Sequence, residues 1–158
     1  PMGRYRRVTH SCEETIDLAT RVGRDLTPGM VVLLSGDYGS GKTEFVRGIV
    51  QGFLGEAAVD QVASPSFALL HVYEAGGRRV CHYDLYRLET MDIRNGADLF
   101  QDAEEEDLIC VEWPEAVNLL PQFRKSVCVQ MRSLTDAQRE VSIGVTDGCD
   151  LSFFMEND

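Results

Sequence analysis

Lysine is nearly missing from this sequence: Lys42 and Lys125 are the only two, and arginine supplies the rest of the basic charge. Chemistry that needs a lysine amine therefore has two candidates. Positive charge as a whole is scarce, because 15 Lys and Arg face 26 Asp and Glu, a formal net charge of −11. Such a surface repels phosphate backbones, so direct binding of a nucleic acid is not expected, although acidic surface often serves solubility alone. No apolar run approaches the roughly 20 residues that span a bilayer, so no direct membrane contact is expected. The arginines near the N-terminus are not followed by an apolar stretch, which argues against a secretory leader, and Pro1 reads as a processed end outside the fold. The five cysteines, Cys12, Cys81, Cys110, Cys128 and Cys149, are odd in number and form no Cys-x-x-Cys pair. A disulfide framework and a zinc site both fit poorly, and reduced thiols in a cytoplasmic protein fit better. Cys81, Cys110 and Cys128 sit in apolar, strand-like runs, where a thiol behaves as a small core residue.

What is present reads as one domain over residues 1–158. Ser11-Cys12-Glu13-Glu14 is a capping box, in which Ser11 accepts from the third amide of the helix and Glu14 reaches back. Ile16, Ala19, Val22 and Leu26 then mark one helix face, and Thr27-Pro28-Gly29 ends it. Met30 to Ser35 is an uninterrupted apolar strand, the pattern of a sheet buried on both faces. A helix is expected from about Thr43 to Leu54, stopped by Gly55. Phe67–Glu74 and Arg78–Asp84 read as a hairpin around Ala75-Gly76-Gly77. Leu88–Phe100 suggests a short helix or two, Asp107–Glu112 a short strand and Glu115–Leu120 a helical turn or two. Ser126–Met131 and Arg139–Val145 complete the strands. The fold class expected is α/β, P-loop NTPase-like, with a mixed central sheet whose parallel core is flanked by helices.

Between the first apolar strand and the second helix lies Gly36-Asp37-Tyr38-Gly39-Ser40-Gly41-Lys42-Thr43, which satisfies G-x-x-x-x-G-K-[ST] at every fixed position. Glycines let the backbone curl so that successive amides face one anion, and the helix that follows adds its positive N-terminus. Lys42 is placed to reach the β- and γ-phosphates and the Thr43 hydroxyl to ligate Mg²⁺. From average residue usage, a chance match in a chain of this length is roughly one in a few hundred.

Such a loop needs a further carboxylate beside the hydrated Mg²⁺. Asp84 closes the run Val80-Cys-His-Tyr83, and Glu112 closes Leu108–Val111. If those strands run parallel to Met30–Ser35, both acids reach the edge that carries the loop. Each is alternatively a turn residue or a helix cap. Glu104-Glu105-Glu106-Asp107 reads as a solvated turn. Ser66, on the proline-stiffened loop Ser64-Pro65-Ser66-Phe67, is a candidate to meet the γ-phosphate as switch loops do. His82 is expected in the core or on a sheet face, and Trp113 either packs the core or lies near a nucleotide.

The strings SGDYGSGKTEFVRG, SPSF, HYDLYRL, VEWPE and LLP, in that order over about Leu33 to Pro121, resemble the TsaE (YjeE) family. The family is a bacterial P-loop ATPase of threonylcarbamoyladenosine synthesis, a modified base beside the tRNA anticodon, and works with the partner proteins TsaB and TsaD. The resemblance implies ATP and Mg²⁺ as ligands, Asp84 as the Walker B-like acid, Glu112 as a Mg²⁺-proximal acid, and Ser66 in the switch-like loop. It also implies that the segment holding Ser11 and Cys12 lies near the nucleotide. Where the family usually has threonine, Ser66 keeps the hydroxyl and lacks the methyl; Tyr38 and Ser40 replace the more usual leucine and alanine. A small-molecule P-loop kinase and a nucleotide-gated binding module are the competing readings. A kinase should carry an arginine-rich lid, for which Arg78, Arg79 and Arg87 are few. A GTPase is disfavoured by the absence of N-K-x-D. Arg47, one turn past Thr43, is expected to run along the helix surface, which leaves the site short of an arginine and makes it a slow ATPase dependent on a protein partner.

Overall fold

The computed structural model describes residues 3–62, 69–86, 99–114 and 125–145. Ser66 and its loop, Arg87, most of the helical stretch expected over Leu88–Phe100, the turn expected over Glu115–Leu120, and Cys149 lie outside these residues.

The chain begins with strand β1 (Gly3–Thr9), which the sequence reading did not anticipate. Helix α1 (Cys12–Asp25) follows with its capping box formed: the Ser11 hydroxyl accepts from the Glu14 amide at 3.1 Å. Glu14 reaches back one residue further than expected, and its carboxylate accepts from the His10 amide at 2.6 Å. Strand β2 (Val31–Gly36) leads into the loop, and helix α2 (Lys42–Leu54) leaves it. A 3-10 helix over Glu56–Gln61 follows. The hairpin of β3 (Leu70–Ala75) and β4 (Arg78–Asp84) turns on Gly76 and Gly77, whose φ values of 58° and 79° suit a two-residue hairpin turn. Strands β5 (Leu108–Glu112), β6 (Ser126–Ser133) and β7 (Arg139–Val145) complete a sheet ordered β1-β7-β6-β2-β5-β4-β3 among the described residues.

The centre of the sheet is parallel: β2 pairs with β5 and β6, and β5 pairs with β4. Its margins, β3–β4 and β6–β7–β1, are antiparallel. Parallel strands need both faces covered, and β5 is buried along its whole length. On one face α2 lies over Val32, Leu34, Val80, Cys110 and Val129, with Phe45, Ile49 and Phe53 enclosed. On the other, Val31, Cys81, Tyr83, Ile109 and Val111 gather around Leu85 and Leu99. Two expectations need correction here. Ile16 is only half buried, while Ala19, Val22 and Leu26 are buried as expected and Thr15 and Leu18 join them on the inner face of α1. Asp107 is not part of a solvated turn: it is buried, receives Arg79 at 3.2 Å and caps the Glu104 amide at 2.9 Å. No helix among the described residues is long and apolar enough to cross a membrane.

Helix α1 packs on α2 through glycine, which lets the backbones approach. A Cβ at Gly48 would lie 2.5 Å from both the Ala19 Cβ and the Ile16 carbonyl oxygen. Gly48→Ala would gain about 1 kcal/mol in helix propensity, but the helices must part to admit the methyl, and overpacking typically costs about 1–3 kcal/mol. We expect a net loss of stability in urea unfolding; an unchanged or higher midpoint would show that α1 slides at no cost.

Candidate functional site

The loop between β2 and α2 is shaped by backbone that only glycine adopts freely. Gly39 and Gly41 have φ of 80° and 103°, and Gly41 opens α2 without any side-chain capping bond. Gly41 thus offers no side chain to the first amides of α2, and a helix N-terminus of this kind draws an anion. Ser40 is 1% exposed and its hydroxyl has no hydrogen-bond partner among the described residues. Asp37 and Tyr38 are exposed at the crown of the loop. Together these features fit a phosphate-bearing ligand.

Lys42 lies at the base of this cradle, 5% exposed. Its ammonium donates to the Gly36 carbonyl at 2.6 Å and the Asp37 carbonyl at 2.9 Å, and it sits 4.1 Å from the centroid of the Trp113 ring. Trp113 thus packs against the second core cluster, the first of its two expected places, and its ring also reaches Lys42 of the loop. It does so at φ 61°, a left-handed conformation that is costly for a bulky residue, pinned by its amide's 3.1 Å bond to the Leu34 carbonyl. Tyr86 stacks obliquely on Trp113 at 5.0 Å and Tyr38 on Tyr86 at 5.7 Å, so three rings border the site.

The two strand-end acids arrive as parallel pairing requires. Asp84 is the register partner of Glu112, and Glu112 the partner of Leu34, two residues before the loop. Lys42, Thr43, Asp84 and Glu112 line one cavity of about 350 Å³. Asp84 also serves its own turn, accepting the Tyr86 amide at 3.0 Å. Burial first, and then the neighbouring Glu112, push the Asp84 carboxyl above its ordinary value of 3.8. Glu112 is almost enclosed and is held from behind by His82, whose Nε2 lies 2.5 Å from Oε2. His82 is buried in the sheet as expected, but it is not inert filling. Among the described residues no group of three or more His, Cys, Asp or Glu converges on one point. A cation here would rest on the Thr43 hydroxyl, one or two carboxylates and a ligand's own oxygens, which is the way Mg²⁺ is usually held.

A second cavity of about 420 Å³ opens on the other side of the loop, between Cys12 and Ser11 of the α1 cap, Gly39, Glu44 and Arg139. Cys12, exposed, thus stands beside the loop; burial and the nearby Glu44 raise its thiol. The sequence reading missed this wall's other half. His10, Asp136 and Arg139 come to the loop only because β1 and β6 both pair with β7, contacts that leave no local signature. Arg47 does not simply run along the surface: it lines the Lys42 cavity and donates to the Val62 carbonyl at 3.2 Å.

A buried parallel strand, a glycine-rich loop, a helix opening on a lysine and threonine, and two acids on the same sheet edge define a P-loop nucleotide-binding protein. Comparison with known proteins narrows this class. Residues 9–141 match the family of the threonylcarbamoyl adenosine biosynthesis protein TsaE. The chain is 36% identical over 144 residues to the tRNA threonylcarbamoyladenosine biosynthesis protein TsaE of Treponema pallidum, an alignment covering 87% of this chain and 98% of that protein. It is 40% identical over 111 residues to the protein of the same name from Rickettsia conorii, covering 70% of this chain but only 62% of the relative. The chain belongs to the TsaE family. A crystal structure of YdiB from Bacillus subtilis superposes on 98% of the chain and 92% of its own, with a TM-score of 0.70 at 24% identity, and so shares the fold.

The raised Asp84 carboxyl has a consequence for stability. A group whose folded pKa lies above its unfolded value contributes most below the unfolded value, here near 3.8, and that contribution is lost as pH rises through the folded value. At neutral pH the ionised Asp84 is therefore a cost to the empty protein. Asp84→Asn is expected to melt at a higher temperature than the parent at pH 7, with the gain shrinking as the pH falls toward 3.8. A lower melting temperature at pH 7 would refute this.

Proposed function

We propose that this chain binds ATP with Mg²⁺ at Asp37–Thr43 and hydrolyses it slowly until a protein partner completes the site. In this reading it serves the threonylcarbamoyl modification of adenosine beside the tRNA anticodon, together with TsaB and TsaD. The observation that carries the reading is the convergence of Lys42, Thr43, Asp84 and Glu112 on one cavity at the uncapped start of α2. The names of the relatives supply the biosynthetic setting.

In this site Lys42 exchanges its two carbonyl partners for phosphate oxygens. Thr43 and Asp84 hold Mg²⁺, which when bound offsets charge on the transferred phosphoryl group. Glu112, with Oε2 fixed by His82, turns its other oxygen toward the attacking water. Cys12 and the second cavity border the remainder of the nucleotide, and Ser66 serves as the switch-loop hydroxyl.

Partner dependence follows from the arginines. Phosphoryl transfer commonly draws on an arginine aimed at the γ-phosphate. Near the loop, Arg47 is tied to the Val62 carbonyl, and Arg139 donates to the carbonyls of Thr135, Asp136 and Gln138 at 2.9 to 3.3 Å. Both are held by backbone groups, so the balancing charge is better supplied from outside. The net charge of −11 favours a protein surface over the tRNA itself as the direct contact.

Phosphate release from the purified chain, alone and with TsaB and TsaD, with and without tRNA, tests this. We expect slow turnover alone and stimulation by the two proteins; full-speed turnover indifferent to them would overturn the partner reading and favour a kinase. Lys42→Ala should fold and lose about 100-fold or more in turnover, the scale of one transition-state group worth about 3 kcal/mol. Unchanged phosphate release from that variant would remove the loop from the chemistry. Trp113 is the only tryptophan in the chain, so its emission is expected to change when MgATP is titrated in.

A further inference from the structure

A histidine stands where the pattern of the sheet asks for an apolar residue. His82 lies in the middle of β4, flanked in sequence by Cys81 and Tyr83, and is 0% exposed. Val80 and Cys110 fill the neighbouring places on the same core. Burying an imidazole costs free energy unless both ring nitrogens find partners. Both do. Nδ1 meets the Tyr73 hydroxyl at 2.9 Å across the β3–β4 hairpin, and Nε2 meets Glu112 Oε2 at 2.5 Å on β5. Tyr73 and Glu112 are 2% and 3% exposed, so the row is almost enclosed, and only its Glu112 end borders the Lys42 cavity.

The register explains the row. Side chains two apart on a strand share a face, so His82 lies behind Asp84 on β4. Asp84 pairs with Glu112 and His82 with Cys110, which leaves His82 one step back from Glu112 on the diagonal. A carboxylate only accepts hydrogen bonds, so Nε2 must carry the hydrogen. Burial pushes the Tyr73 phenol well above its ordinary range, and the phenol stays an O–H that donates to Nδ1. The carboxylate thus sets the tautomer, with the hydrogen on Nε2, and the Tyr73 hydroxyl supports it by donating to the Nδ1 left as acceptor. Among the described residues this is the carboxylate's one hydrogen bond, and Glu112 at the same time lines the Lys42 cavity.

We propose that His82 is a positioning residue for Glu112: it clamps Oε2 from inside the sheet so that Oε1 faces the phosphate cavity, and Tyr73 holds the imidazole in the tautomer that does this. The inference rests on the role given to Glu112 above. It predicts an effect on turnover and not on nucleotide capture, because Lys42, Thr43 and Asp84 do not depend on the clamp.

The test compares His82→Leu, which packs and cannot donate, with His82→Gln, which keeps an amide N–H near the place of Nε2. Steady-state phosphate release against MgATP, in the same partner conditions for all variants, separates kcat from KM. We expect His82→Leu to lower kcat about 10- to 100-fold, the usual scale for a partner that orients an active-site ligand, with KM within about twofold. His82→Gln should recover most of kcat. In the Glu112→Gln background, His82→Leu should add little, since the two act as a unit. Full kcat in His82→Leu, or equal losses in both His82 variants with a shared fall in melting temperature, would overturn the clamp and leave a packing role. Should His82→Leu not fold, Tyr73→Phe decides: it is expected to lower kcat without raising KM, and full kcat in that variant overturns the proposal. If Glu112→Gln itself keeps full kcat, it is the role of Glu112 that fails, and the clamp then has nothing to position.

Discussion

The parallel register that sets Asp84 against Glu112 and Glu112 against Leu34 is the constraint on which the site depends. Side chains alternate along a strand, so a slip of one residue would send either acid to the opposite face of the sheet. The slip is prevented by burial on both sides: β5 carries no exposed residue, and the neighbours that fix its position are core side chains. The chemistry of the edge is thus specified by packing some distance behind it. Two backbone bonds finish the alignment, from the Leu85 amide to the Glu112 carbonyl at 3.0 Å and from the Trp113 amide to the Leu34 carbonyl at 3.1 Å. The second carries the strained Trp113 into the place where its ring covers Lys42.

Burial works against ionisation at this edge, and the fold answers each charge locally. Lys42 is enclosed but meets two carbonyls and an aromatic face. Glu112 is enclosed but meets an imidazole. Asp84 receives one backbone amide and remains partly open, and burial pushes its carboxyl upward. A site assembled this way holds its charges ready at some expense to the empty protein, and a ligand that brings opposite charges relieves it. That is the common relation between a binding cleft and the stability of the fold around it.

How much of this could be read in the residues depended on how local each feature is. The phosphate loop is contiguous, its glycines and lysine fall between Gly36 and Thr43, and the flanking strand and helix have strong periods of their own. The hairpin announced itself through Gly76-Gly77. The positions of Asp84 and Glu112 followed once the strands were taken as parallel. Strand β1 gave no such signal, because Arg4, Arg6 and Arg7 hide the alternation and its only strand partner among the described residues is β7, the last strand of the chain order. The same long-range pairing delivers Arg139 and Asp136 to the loop. His82 was placed in the core by its apolar surroundings, but its bond to Glu112 spans 30 residues and joins two strands, and residue type alone does not choose between filling and function. The cap of α1 was legible to within one residue, since Ser11 behaves as its position demands and Glu14 finds the amide of His10.

Among the described residues β1 forms one margin of the sheet, with a single neighbour, β7. In many proteins a margin of this kind is where a second chain is recruited into a growing ribbon. Here Arg4, Arg6 and Arg7 are strung along that margin, with Arg7 drawn over the ring of Tyr5 at 5.6 Å. A like-oriented copy approaching edge to edge would bring guanidinium against guanidinium before any backbone bond could form. Three of the 15 basic residues of an acidic protein thus lie where they weigh against the described sheet growing by pairing with its own copy.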